Sequence, residues 1–100
     1  MKLSGKNAVV VFENASFLLQ YLTESDMFFS GNMNGEHAQE KVKYTKQLIN
    51  GDILSVTWFE NKTRSLVTHT IDLRVMSVNS LVFMTDTKCL LKMSGRITFL

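Results

Sequence analysis

Trp58, Glu60 and His69 are the residues whose types and spacing bear most directly on chemistry. In the stretch from Gly51 to Asp72, GDILSVTWFENKTRSLVTHTID, Leu54, Val56, Trp58 and Glu60 fall on one side of a period-2 pattern, with Ser55 and Thr57 on the other. The side that buries a tryptophan therefore also carries a carboxylate. Enclosed in an apolar lining, that carboxyl group is disfavoured as an anion and its pKa rises, which suits it to bind a donor group on a ligand or to move a proton. The competing placement puts Glu60 at the strand end with its carboxylate in water. His69 has two readings as well, a proton-transfer group or a core or rim histidine satisfied by a backbone carbonyl.

The remaining reactive residue types point to little. A single cysteine, Cys89, has no internal partner, and beside Leu90 and Leu91 it reads as an inert strand residue. No Cys/His spacing resembles a zinc site, and neither a metal nor an organic cofactor is implied. The six methionines read as core filler or as a ligand-facing surface.

Holding Glu60 and His69 in place requires strands. After Asn61-Lys62-Thr63-Arg64 the alternation resumes with Val67, His69 and Ile71 on one face and Leu66, Thr68, Thr70 and Asp72 on the other, so the pair reads as a β-hairpin with a four-residue loop. With Glu60 opposite Ser65, Trp58 faces Val67 and Val56 faces His69. Trp58, Glu60, Val67 and His69 then share one face, taken as the inside.

Further strands are expected from Ala8 to Glu13, Phe17 to Leu22, Met27 to Ser30 and about Gln39 to Leu48. The spacing of Phe17 to Leu22 also fits a short helix, but the turn-rich Thr23-Glu24-Ser25-Asp26 favours a strand. Gly31-Asn32-Met33-Asn34-Gly35 reads as a loop in which glycine and asparagine supply positive φ, and Asn50-Gly51 reads as a hairpin turn. Met76 to Met84 is strand-like with an interruption at Asn79-Ser80, a bulge or a turn. Cys89 to Met93 and Arg96 to Leu100 finish the chain around Ser94-Gly95. About eight short strands with short connections, and no proline anywhere, predict an all-β fold: one small antiparallel up-and-down barrel spanning residues 1–100. Such a barrel is filled by its side chains or holds one small ligand, and the lining is expected from Val10, Phe12, Val56, Trp58, Glu60, Val67 and His69.

Composition narrows the function classes. A chain of 100 residues makes one domain, and 45% hydrophobic content suits a folded protein. No run approaches the ~18 apolar residues of a membrane helix, and a net charge of +2 is too small to argue for nucleic acid. Nothing after Met1-Lys2-Leu3-Ser4-Gly5-Lys6 has the form of a secretory leader, so a cytoplasmic location is expected.

SVTWFENKT resembles the V-S-W-x-E-P-x-G-T segment of the phenolic acid decarboxylases, small barrels of the lipocalin-like (calycin) group. The wider pattern is more similar to the MoaF-like domains of that group: Gly5-Lys6 before a strand ending Phe12-Glu13-Asn14, Trp58-Phe59-Glu60, then Thr68-His69 with Ile71-Asp72. The resemblance implies a lipocalin-like barrel. It puts Glu60 at the decarboxylase glutamate. The first-strand tyrosine positions, however, are Val10 and Phe12, and the expected arginine is Glu36, so decarboxylase activity is not expected. The leading expectation is a barrel that holds a small apolar or aromatic molecule. The alternatives are a cofactor-independent lyase or isomerase using Glu60 as general acid or base, and a filled interaction module pairing as a homodimer through Phe59 and Leu66 on the outer face.

Overall fold

Every element of the chain is a strand, and each connection is too short to cross over the sheet. The computed structural model describes residues 1–100 and gives β1 (Asn7–Val11), β2 (Ala15–Tyr21), β3 (Asp26–Met33), β4 (Glu36–Leu48), β5 (Ile53–Glu60), β6 (Ser65–Asp72), β7 (Ser77–Met84) and β8 (Cys89–Phe99). Each strand pairs antiparallel with the next, and β8 returns to β1, closing the barrel in chain order. Closure leaves no unpaired edge to recruit another strand. The alternation of each strand sets its inner face, and the core is one cluster of inward side chains, including Val10, Leu19, Met27, Val42, Leu54 and Ile97.

One end of the barrel is plugged. The segment before β1 folds under it, with Gly5 N–H donating to the Tyr21 carbonyl at 2.8 Å and Lys46 Nζ donating to the Met1 carbonyl at 2.6 Å and to Glu24 at 2.8 Å. This carries Leu3 into the core, where its side chain is fully buried. Removing such a side chain from water is worth roughly 1.5–3 kcal/mol. Tyr21 and Tyr44 meet edge to face above it at 5.4 Å, and the Tyr44 hydroxyl donates to the Thr23 carbonyl at 2.6 Å.

The hairpin register is as expected, with Glu60 opposite Ser65, Trp58 opposite Val67 and Val56 opposite His69. Three expectations change. Ser94-Gly95 does not break the last segment, because β8 runs unbroken from Cys89 to Phe99. Asn79-Ser80 is neither bulge nor turn: Asn79 points outward and accepts from the Ser94 hydroxyl at 2.6 Å, and Ser80 points inward, so the alternation is kept. Gly31 lies inside β3, which extends to Met33, and only Asn34 and Gly35 take up the positive φ of that turn, so β4 begins at Glu36 rather than Gln39. Asn50-Gly51 does turn the chain between β4 and β5 as expected, and it does so without positive φ, the Asn50 side chain accepting the amides of Asp52 and Ile53.

Candidate functional site

Above the plug, the barrel is not filled. A hollow of about 170 Å³ occupies the other half of the interior and reaches the rim at the β5–β6 turn, where Thr63 lines it. For comparison, an engineered protein cavity of ~150 Å³ accommodates benzene. The space is that of one ring with a short substituent.

Its walls differ in character. Phe12, Phe17, Leu19 and Phe29, from β1 to β3, make an aromatic side, with Phe17 and Phe29 edge to face at 6.1 Å. Two glycines on the inner face make room for it. A Cβ on Gly31 would lie 2.6 Å from the Phe17 ring, and one on Gly95 would lie 2.8 Å from the Phe12 ring. Met33, Met84 and Met93 stand nearer the rim, so part of the methionine complement does face the hollow, where thioethers adapt to shape.

The opposite side carries the polar groups, Glu60, Ser65, His69 and Ser80. Glu60 is the last residue of β5, half-buried, and the chain feeds its carboxylate from two sides: Trp58 Nε1 donates to Oε2 at 3.0 Å and the Thr63 hydroxyl donates to Oε1 at 3.0 Å. Burial pushes the carboxyl above its usual range, the two hydrogen bonds oppose that shift, and the neighbouring charge of Glu40 adds to it. Glu40 in turn caps the β5–β6 turn by accepting the amides of Asn61 at 2.9 Å and Lys62 at 3.2 Å.

His69 sits deeper, opposite Ser80 on β7, and is almost fully buried. Its ring lies edge to face on Trp58 at 4.6 Å and near Phe12 at 6.1 Å. The expected backbone carbonyl is not there, because Nδ1 is buried without any hydrogen-bond partner. Burial alone pushes the imidazole down to about 4, so it is neutral at pH 7. A neutral, unoriented ring of this kind is a poor general base.

Of the expected lining, Phe12, Trp58, Glu60, Val67 and His69 come together around the hollow, whereas Val10 and Val56 are fully buried one level deeper, in the packed half. Phe17 and Phe29 are among the further aromatics that complete the lining, signalled in the sequence only by their place in β2 and β3, and Ser80 joins it from a polar pair that reads locally as an interruption. Glu36, at the position where the decarboxylase resemblance expects an arginine, is exposed at the start of β4. Cys89 is exposed, and no group of three or more His, Cys, Asp and Glu residues is placed to hold a metal ion. No helix is long and apolar enough to cross a membrane.

A closed up-and-down barrel of eight strands, plugged at one end and hollow at the other, has the architecture of the lipocalin-like, or calycin, group. Within that class the chain belongs to the MoaF-like family, whose model matches residues 4–98. Among solved structures it is similar to a protein from Burkholderia vietnamiensis described as "a putative beta-lactamase", with a TM-score of 0.87 at 19% identity over 98% of this chain and 95% of that one. At that identity the likeness establishes the shared fold. No curated protein matches the chain.

Proposed function

We propose that this barrel binds one small apolar or aromatic molecule in its hollow. The observation that carries the reading is the lining itself: a one-ring space walled mostly by aromatic and aliphatic side chains, with a few polar groups converging on one side. Trp58 borders that space and is the sole tryptophan, which makes it a built-in reporter. Titration with one-ring aromatic compounds is expected to change Trp58 emission saturably, and Trp58→Phe with Phe12→Ala is expected to weaken binding followed by calorimetry about tenfold or more. Compounds of every one-ring class failing to bind by either method would remove the reading. We also place the protein in the cytoplasm, a compartment in which the exposed thiol of Cys89 stays reduced.

A second feature supports pairing of two copies. Phe59, Leu66, Phe83 and Leu90 stand in register across the outer faces of β5 to β8, and Phe59, Leu66 and Leu90 are 38%, 42% and 63% exposed. The other outward residues of β5 and β6 before Asp72, Ser55, Thr57, Thr68 and Thr70, are uncharged, as are Ser77, Asn79 and Leu81 on β7. Charge borders the row, with Lys92 two places from Leu90 on β8 and the Arg64–Asp86 pair at the rim, and an uncharged centre inside a charged margin is the anatomy of an interface. Four strands at ~4.8 Å spacing give a patch roughly 15–20 Å wide, the size of the core of a standard interface that buries ~800 Å² per partner. A second copy docking face to face would meet its own complement. Light scattering at tens of micromolar is expected to give twice the monomer mass, and Phe59→Lys with Leu66→Lys is expected to halve it. A wild-type chain at monomer mass under those conditions would contradict the pairing.

A further inference from the structure

We propose that the ligand of the hollow is a small organic ammonium ion carried on a single apolar ring. This rests on the ligand reading above and specifies its chemistry. The argument starts from what the lining lacks. No lysine or arginine borders the hollow, and Glu60 is the one carboxylate that does. Of the cations near the rim, Lys62 Nζ is engaged with the Gln39 carbonyl at 2.9 Å and Arg64 with Asp86 at 2.8 Å, and Lys92 lies on the outward, exposed face of β8. A carboxylate or phosphate in this space would meet Glu60, with Glu40 behind it, and no opposite charge. Anions are therefore excluded on both Coulomb and desolvation grounds.

The hydrogen-bonding groups point the same way. The chain's own donors at the rim are already used, since Trp58 Nε1 and the Thr63 hydroxyl both donate to Glu60, and the Ser65 hydroxyl donates to the Thr63 carbonyl at 3.3 Å. The remaining lone pairs of Glu60 and Ser65 can only accept. A ligand that satisfies them must bring N–H or O–H groups, and among those only a positively charged head also offsets the repulsion between Glu60 and Glu40. The rings of Phe12, Phe17, Phe29 and Trp58 complete the environment, because aromatic faces attract a cation that a carboxylate also holds. An aromatic enclosure with one acid, no cationic side chain and a neutral His69 is an ammonium site by its chemistry.

The test uses the full chain and three compounds that share one ring and differ only in the head group: benzylamine, benzyl alcohol and benzoate, each titrated at pH 7.5 by calorimetry and by Trp58 emission. Benzylamine is expected to bind about tenfold or more tighter than benzyl alcohol, and benzoate to show no saturable binding. In Glu60→Gln the amine is expected to fall to the level of the alcohol, while the alcohol itself is little changed. If benzyl alcohol or benzoate binds as tightly as the amine to the wild-type protein, the ammonium assignment is overturned and the ligand reading survives. If none of the three binds, and toluene does not bind either, both fall together.

Discussion

Gly95→Ala is expected to lower the folding stability of the barrel by about 3 kcal/mol, with Gly31→Ala close behind. Neither glycine is needed for its dihedral freedom, since neither has positive φ. What matters is the missing side chain. A Cβ on Gly95 would lie 2.1 Å from the Val11 carbonyl oxygen, and one on Gly31 would lie 2.1 Å from the Ser16 carbonyl oxygen. Both obstacles are backbone atoms of a neighbouring strand, so neither can rotate away, and the aromatic rings over them are held by the hollow's own packing. Relief requires the β1–β8 seam to spread at Gly95 or the β2–β3 ladder to bend at Gly31. Urea midpoints measure the cost, with Gly51→Ala as the control: it has no atom within 4 Å and no positive φ, so a change within about 0.5 kcal/mol is expected there. A wild-type midpoint for Gly95→Ala would show that the seam has slack the packing does not suggest.

The second large effect is acid sensitivity from His69. Its folded-state pKa is pushed down to about 4 by burial, against 6.5 in the unfolded chain. When a folded pKa is depressed, the unfolded state takes up the proton first. The contribution of the neutral ring is thus complete above pH ~6.5 and is lost as pH falls toward ~4. Linkage puts the loss at about 2 kcal/mol by pH 5 and about 3 kcal/mol at the acid limit. Glu60 works in the opposite sense, because its raised carboxyl gains a proton more readily when folded, which softens the acid limb. His69→Leu removes the titration and the buried Nδ1 that lacks a partner. Its stability is expected to vary by less than about 1 kcal/mol between pH 7.5 and 5, where the wild type loses about 2. Equal pH dependence in the two proteins would mean that the imidazole takes up its proton inside the barrel without cost.

These two effects also show where the sequence was informative and where it was not. The β5–β6 register could be read directly, because both strands alternate cleanly and the four polar residues between them, Asn61 to Arg64, leave a single way to pair. The barrel followed from repeating that logic along the chain. Gly31 and Gly95 differ from what local sequence suggests for a physical reason: local sequence registers the freedom of glycine to turn, whereas at these two positions a neighbouring strand comes too close for a methyl group. Asn79 and Ser80 misled in a related way, since two adjacent polar residues look like an interruption unless the inner one borders an open space. Phe17 and Phe29 belonged to alternating strands all along, but only the closed ring brings them opposite Trp58 and Glu60. His69 was placed on the correct face, and its lack of a partner is a property of the three-dimensional surroundings that no spacing encodes.

Chain-order closure has a bearing on how the molecule reaches its native state. Seven of the eight ladders join strands that follow one another directly, so each can form by local search across a short turn. The eighth, between Ala8–Val11 and Arg96–Phe99, is the shortest and spans nearly the whole chain. Loop-closure entropy grows slowly with length but is concentrated in that one step, which places ring completion late and makes it the slow event of folding. Gly95 sits at the end of that late-forming ladder, so the residue that clears space for Phe12 also governs whether the two chain ends can meet at all.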